Sequence, residues 1–522
     1  MKNNIKITAS ILALATMGLT ACSEDFLEVE NPTQLSLDEY FADPANLQSS
    51  VTAAYAPLHW FDYNAHKDCS YADPVFIADI MSDQMFVGGS NSTDQPPLQK
   101  INNWSSDALN TPVSLWDDCY SGVKRCNDCL GYLDKYNGSN KQQLIAEVYT
   151  LRAYYYNILW KFWGNIPYYD GTDEFPSPNV DNGYTAVQLA PADSYAQIIK
   201  YLEIAINEPS FPSKQTVGEE GHATKAFAKM LYADYVLYQK DKDRYSTALS
   251  YMDDVIADYP LESDFAKIFT EDGEWCSESV FEINYAKVGT RDWYDNDRVA
   301  AGTVFPAFIG PAEAVDGVCN SGWGFGPIKE SVWDLFSDGD PRREASIIDA
   351  RGKASSGRFQ CTFLYNAKYA PRPENLAASG DPNLSYGNNR RVFRSAEAYL
   401  NAAELSAKLG NGKAAEYLTA LRSARGVSYQ GSTLADIMDE AAREFVGEGK
   451  RFFIVLRNDG EEGIAAANIL VGAGNDNSGK YTYTPDQKAQ TGIFTANKKY
   501  LAIPQEELSA DQNLKQNPGY DN

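Results

Sequence analysis

The residues best suited to chemistry in this chain are flat rings set beside planar polar groups. Trp60-Phe61-Asp62-Tyr63-Asn64 places an acid and an amide two apart, so in an extended segment Asp62 and Asn64 point the same way. Trp104 follows Asn102-Asn103, and Trp293-Tyr294 lies beside Asp292 and Asn296. Trp323 follows Cys319 within the run Gly322-Trp323-Gly324-Phe325-Gly326-Pro327, which as a loop lifts Trp323 and Phe325 towards solvent. Asn389-Arg390-Arg391 supplies guanidinium forks just before a helix beginning at 395. An aromatic face packs on the C–H side of a sugar ring, while acids, amides and guanidiniums pair with its vicinal hydroxyls. Asp62, Asn64, Trp104, Trp293, Tyr294, Cys319, Trp323 and Arg390 therefore form the candidate ligand-binding set. The competing readings are structural. They are core packing for the rings, a solvated turn or helix cap for Asp62 and Asn64, a buried thiol for Cys319, and relief of acidic surface charge for Arg390 and Arg391.

Other chemistries find less support. No HExxH, Walker A or GxSxG pattern occurs, and the glycine run lacks GxGxxG spacing. A glycosidase needs two carboxylates at a set separation, but 71 acids guarantee such pairs somewhere, so their presence carries no weight. No catalytic residue is assigned, and a binding protein rather than an enzyme is expected. Asp-rich loops suit Ca²⁺, yet no EF-hand spacing is present; a structural Ca²⁺ is left without named ligands and no other cofactor is expected. The 45 basic and 71 acidic residues give a formal charge of −26, which repels phosphate backbones and argues against a nucleic-acid partner. At 44% hydrophobic and 13% aromatic, the 522 residues can bury a large core.

The first 21 residues read as an export signal. Lys2 and Lys6 precede an apolar stretch from Ile7 to Leu19, too short to span a bilayer. It ends Leu19-Thr20-Ala21-Cys22, which resembles a bacterial lipobox. That resemblance implies cleavage before Cys22 and acylation there, a lipid anchor in the membrane. Ser23-Glu24-Asp25 follows, like the surface-export signal of Bacteroidetes lipoproteins. Seven further cysteines cannot all pair within one chain. Cys119, Cys126 and Cys129 share one helix face and read as buried thiols. Zinc is the weaker reading, since His59, His66 and His222 are the only histidines.

A 3.6-residue periodicity recurs and predicts the elements that must position these side chains. Leu144, Val148, Leu151, Tyr155, Ile158 and Phe162 form one stripe; Tyr195, Ile198, Ile199, Leu202 and Ile206 form another. Ala226, Met230, Ala233 and Leu237 make a third, and Tyr245, Ala248, Leu249, Met252 and Val255 a fourth that ends at Tyr259-Pro260. Ser395 is expected to cap a helix stopping at Gly410, and the next helix ends at Gly426. Thr433 with Asp436 predicts a capping box. Short turns and small contact residues resemble tetratricopeptide units, which bury a face only by stacking. The fold class is therefore mainly α: tetratricopeptide-like helix pairs with a loop-rich, mixed subdomain. The scaffold covers 37–59, 112–260 and 395–457, and the loop-rich ligand-binding regions 60–111 and 261–394, all within one unit over 22–522.

Several segments together carry a family resemblance. They are Asp25-Phe26-Leu27 with Asn31-Pro32, WDDCYSGVKRCN from Trp116, AEVYTLRAYYYNILWKFWGNIPYY from Ala146 and ATKAFAKMLYADYVLY from Ala223. To these add SAEAYLNAAELSAKLGNGKAAEYLTALRSARG from Ser395, AREFVGEGKRFFIVLRNDG from Ala442, and the closing LAIPQEELSADQNLKQNPGY. The chain thus resembles the SusD/RagB family of outer-membrane nutrient-binding lipoproteins over nearly its whole length. It departs at Arg451–Leu456, which lacks the acid the family carries there. The resemblance implies a non-enzymatic lipoprotein on the outer face of the outer membrane. It implies a SusC-like TonB-dependent transporter as partner, met by the tetratricopeptide side, and a poly- or oligosaccharide on the loop-rich side. The rivals are a peptide-binding lid of the same fold (RagB-like), a surface glycoside hydrolase, and an adaptor that binds only protein.

Overall fold

A computed structural model of the chain describes residues 43–61, 71, 73–170, 187–287, 293, 302–355 and 357–520. The chain divides into a short N-terminal unit ending at Ser49 and a main unit from Ser50 to Asn522.

The frame of the main unit is a run of packed helices: α1 (Val113–Lys135), α2 (Lys141–Trp163), α3 (Pro191–Asn207), α4 (Lys225–Gln239), α5 (Tyr245–Asp258), α6 (Ser395–Leu409), α7 (Ala414–Ala424), α8 (Leu434–Glu444) and α9 (Arg451–Asn458). Each of α1 to α6 packs on its successor, including α5 on α6 across the 261–394 insertion; α6 also packs on α7 and α8. The periodic stripes are the buried faces. In α3, Tyr195, Ile198, Ile199, Leu202 and Ile206 are buried while Ile204 is exposed. From Thr150 to Trp163 α2 is buried all round, which marks it as the central helix. The α1–α2 approach depends on Gly122: a Cβ there would lie 2.3 Å from the Tyr155 ring. Cys119, Cys126 and Cys129 line this same buried face of α1 as free thiols, and burial pushes the Cys129 thiol up to about 12.

Helix ends follow local chemistry. Thr224 caps α4 by accepting from the Phe227 N–H, and the Thr433/Asp436 capping box of α8 is formed. Gly410 takes φ +64° after α6, the left-handed stop that glycine adopts without strain. Ser395 corrects the expectation at the other end. It is the first residue of α6 rather than its cap, and its hydroxyl makes no cap hydrogen bond.

The insertion leaves and re-enters the array at one place. Strands Ser279–Ile283 and Arg390–Arg394 pair antiparallel, and Ser395 donates its N–H to Glu278 O at 2.8 Å. Beneath this seam lies a buried ionic cluster. Arg342 pairs with Glu440 (2.7 Å) and Glu444 (3.0 Å), Arg425 with Glu278 and Glu444 (2.8 Å each), and Arg394 with Glu278, Glu444 and Glu448. Burial pushes the Glu444 carboxyl up, but Arg425, Arg394 and Arg342 outweigh it and hold the carboxyl well below the usual range. Glu444 and Glu448 belong to the AREFVGEGKR segment, so that motif joins insertion to array.

Two long-range seams complete the unit. Residues 84–89 run antiparallel to 324–329, with Phe86 N–H to Pro327 O at 2.9 Å and Gly326 N–H to Val87 O at 2.8 Å. The two loop-rich regions are thereby one body. At the C-terminal end, the buried Asn517 amide donates to Trp163 O (2.7 Å) and Leu501 O (2.8 Å), tying the NPGY segment to the end of α2.

Candidate functional site

The most developed aromatic surface of the insertion is built on a short helix, Phe305–Ile309. The glycine-rich loop is strapped along it. Trp323 N–H donates to Ala307 O (2.8 Å), Gly324 N–H to Gly310 O (2.8 Å) and Phe325 N–H to Phe308 O (3.3 Å). Gly322 has no room for a side chain, because a Cβ would sit 2.5 Å from Ala307 O. Gly324 and Gly326 take φ of +76° and +68°, so successive residues turn opposite ways. Trp323 is left half-buried. Phe325 corrects the expectation of exposure: it turns inward and stacks on Phe308 at 4.3 Å.

Trp323 does not stand alone. Trp293 stacks on it at 5.7 Å with 30° between the planes, and Tyr71 meets it edge-on at 5.2 Å. One three-residue turn holds both indoles. Trp293 Nε1 donates to Asp381 Oδ2 at 2.6 Å, and Trp323 Nε1 donates to Asn383 Oδ1 at 3.3 Å. Asn383 in turn donates its backbone N–H and its side-chain amide to Asp381 Oδ1 at 2.8 and 3.0 Å. The rings are thus fixed in place, and both oxygens of Asp381 are engaged. Such a surface offers flat apolar faces rather than an acid–base pair.

The structure brings together Trp293 and Trp323 and disperses the rest of the described candidates. Trp104, at φ +53°, packs between Phe452 (5.8 Å) and Phe494 (5.2 Å) against α9 and the C-terminal segment. Cys319 is buried among Ile348, Ala350, Tyr365 and Ala367, and burial pushes its thiol up. Arg390 is buried in its strand, paired with Asp73 at 3.0 Å and lying 3.6 Å from the Phe305 ring centroid. Arg391 is likewise buried, donating to Asn389 O and Thr270 O. Arg390 ties the insertion to the 60–111 region and Arg391 bonds within the insertion, each a buried charge given partners. Asp62, Asn64, Tyr294 and Cys22 lie outside the described residues. Asp381, Asn383 and Tyr71 were not among the candidates. The turn-forming run Gly380-Asp381-Pro382-Asn383 was the available signal for two of them.

A stacked-helix frame carrying one loop-rich, ring-bearing insertion defines a class of protein, and the chain belongs to the SusD family. Residues 25–228 match the family described as starch-binding associating with outer membrane, and residues 342–520 match the SusD family itself. Among solved structures, the chain is similar to surface glycan-binding protein A from Bacteroides thetaiotaomicron, at 35% identity and a TM-score of 0.81. That match covers 92% of this chain and 99% of the other. The same protein in complex with laminarihexaose matches at 36% identity and a TM-score of 0.80, over 91% and 99% of the two chains. A laminarin-binding SusD-like protein matches at 26% identity and a TM-score of 0.78, also over 91% and 99%.

Proposed function

We propose that this protein is a glycan-binding lipoprotein of the bacterial outer-membrane surface, and that its ligand is a β-1,3-glucan of the laminarin type. The observation that carries the reading is the Trp293–Trp323 pair clamped by Asp381 and Asn383. Indoles already held rigid pack on the C–H faces of glucose units with little further ordering cost. The relatives that hold laminarihexaose or are named for laminarin binding support the choice of sugar. Asp62, Asn64 and Tyr294 are further proposed contacts on the same ligand. The helical array is the proposed docking side for a SusC-like TonB-dependent transporter, to which the captured glycan passes. Cys22 is the proposed lipidated residue.

Isothermal calorimetry and affinity gels with laminarin, starch, fructan, xylan and mannan test the ligand. Laminarin should bind and Trp323→Ala should abolish that binding; preference for another glycan, or for peptides, overturns the choice. Palmitate labelling that is lost in Cys22→Ser tests the anchor. Co-purification with a barrel transporter from detergent-solubilised membranes tests the partner.

A further inference from the structure

A concavity is lined by Phe359, the residue that follows Arg358, which holds the Trp323 loop. It encloses about 320 Å³ and is lined by Gln99, Asn103, Phe359, Gln360 and Gln490 among others. That volume falls at the lower end of the range for ligand pockets. Three of the wall amides, Gln99, Asn103 and Gln360, are anchored at one end only, whereas Gln490 is engaged at both. Gln99 Nε2 donates to Gly88 O (3.0 Å) and Asp94 O (3.2 Å), Asn103 Oδ1 accepts from Gly492 N–H (2.7 Å), and Gln360 Oε1 accepts from Gly88 N–H (3.2 Å). The opposite ends, Gln99 Oε1, Asn103 Nδ2 and Gln360 Nε2, have no protein partner among the described residues. Phe359 is half-buried, and its ring meets no other aromatic ring among those residues. The lining therefore combines one ring with unengaged amide donors and an acceptor, the composition that recognises a sugar. Its one charged group, Lys100, is paired with Asp107 at 2.8 Å, which favours a neutral ligand.

The cleft and the indole pair are joined by two consecutive residues. Arg358 donates Nη1 to Trp323 O at 2.8 Å, and Phe359, the next residue, lines the cleft and donates its N–H to Gly89 O at 3.2 Å. The path between them is one arginine side chain and one peptide step of about 3.8 Å, a span that a hexasaccharide covers.

We infer that this cleft is a second subsite, which takes a further stretch of the same neutral glucan chain that stacks on Trp293 and Trp323. The inference rests on the proposed function for its choice of ligand, and ligand length separates the two. Calorimetry compares laminaritriose with laminarihexaose on the wild type, Phe359→Ala, Ala489→Leu and Trp323→Ala. Ala489 lines the cleft at an exposed position, so leucine narrows the cleft without threatening the core. Both cleft variants should weaken laminarihexaose by about three- to tenfold and leave laminaritriose within about twofold of wild type. Trp323→Ala should lose both ligands. Unchanged laminarihexaose affinity in both cleft variants, or an equal loss of both ligands, overturns the subsite. If Trp323→Ala binds normally while the cleft variants lose laminarihexaose, the indole reading fails and the cleft stands alone. A wild type that binds neither overturns both.

Discussion

The helical array and the 261–394 insertion bury the same kinds of residue by different rules. In the array, position follows from spacing. Residues three and four apart share a face, and a buried ring such as Tyr155 or Tyr195 sits where the stripe places it. In the insertion, position follows from partners far along the chain. Trp293 is held by Asp381, 88 residues away, and Trp323 by Asn383, 60 residues away. A helix stripe can be rebuilt from almost any apolar set of the right period. A platform assembled from distant hydrogen bonds cannot, and the proposed glycan grip rests on such a platform.

The most severe way to break the contrast is to attack the cluster both regions share. Glu444→Gln leaves Arg342, Arg394 and Arg425 without a common counter-charge in the interior, and should cost about 3–5 kcal/mol in urea unfolding. The same cluster sets the acid limit. Because the Glu444 carboxyl is held low in the fold, its contribution is present above the ordinary glutamate range and is lost as pH falls. Wild-type Tm should therefore drop steeply below about pH 4, and less steeply in Glu444→Gln.

Gly122→Ala tests the array alone. Its new methyl meets the Tyr155 ring, so stability should fall by about 1–3 kcal/mol while laminarin affinity stays within about twofold of wild type. Gly322→Ala tests the insertion alone and should do the reverse: stability lowered by about 1 kcal/mol, but laminarin binding weakened more than about tenfold as the Trp323 loop lifts from Ala307. Equal losses of binding in the two variants would erase the distinction between the regions.

The smallest effect lies at the entry to α4. His222 Nδ1 is 2.7 Å from Glu147 Oε1, and Tyr55 donates its hydroxyl to the same oxygen. The hydrogen bond to Glu147 raises the His222 pKa despite its partial burial. Its stabilisation is thus full below the ordinary histidine pKa and fades as pH rises through the raised one. With half the ring exposed, His222→Ala should cost no more than about 0.5 kcal/mol at pH 5.5 and less at pH 8, read by paired urea titrations.

The same contrast separates what local rules disclose from what they hide. The long helices, the Gly410 stop and the Thr433 capping box follow from local rules and lay open in the sequence. So did the pairing of ring-rich loops with a helical frame. Arg390 and Trp104 show that composition cannot tell a guanidinium or an indole aimed at solvent from one with a buried partner. Asp73 and Phe494, their partners, lie 317 and 390 residues distant. Cys319 shows the same, since it lies only four positions before Trp323 yet the chain turns it into a different cluster. Asp381 and Asn383 went unseen because their importance comes from two indoles that they meet only in the folded chain.

Whether stacked indoles on the insertion grip a glucan is decided by the affinity of wild-type protein and Trp323→Ala for laminarihexaose, with far-UV and near-UV circular dichroism confirming that the variant folds. Calorimetric binding is expected for the wild type and none for the variant. Equal affinity in two well-folded proteins would contradict the indole grip.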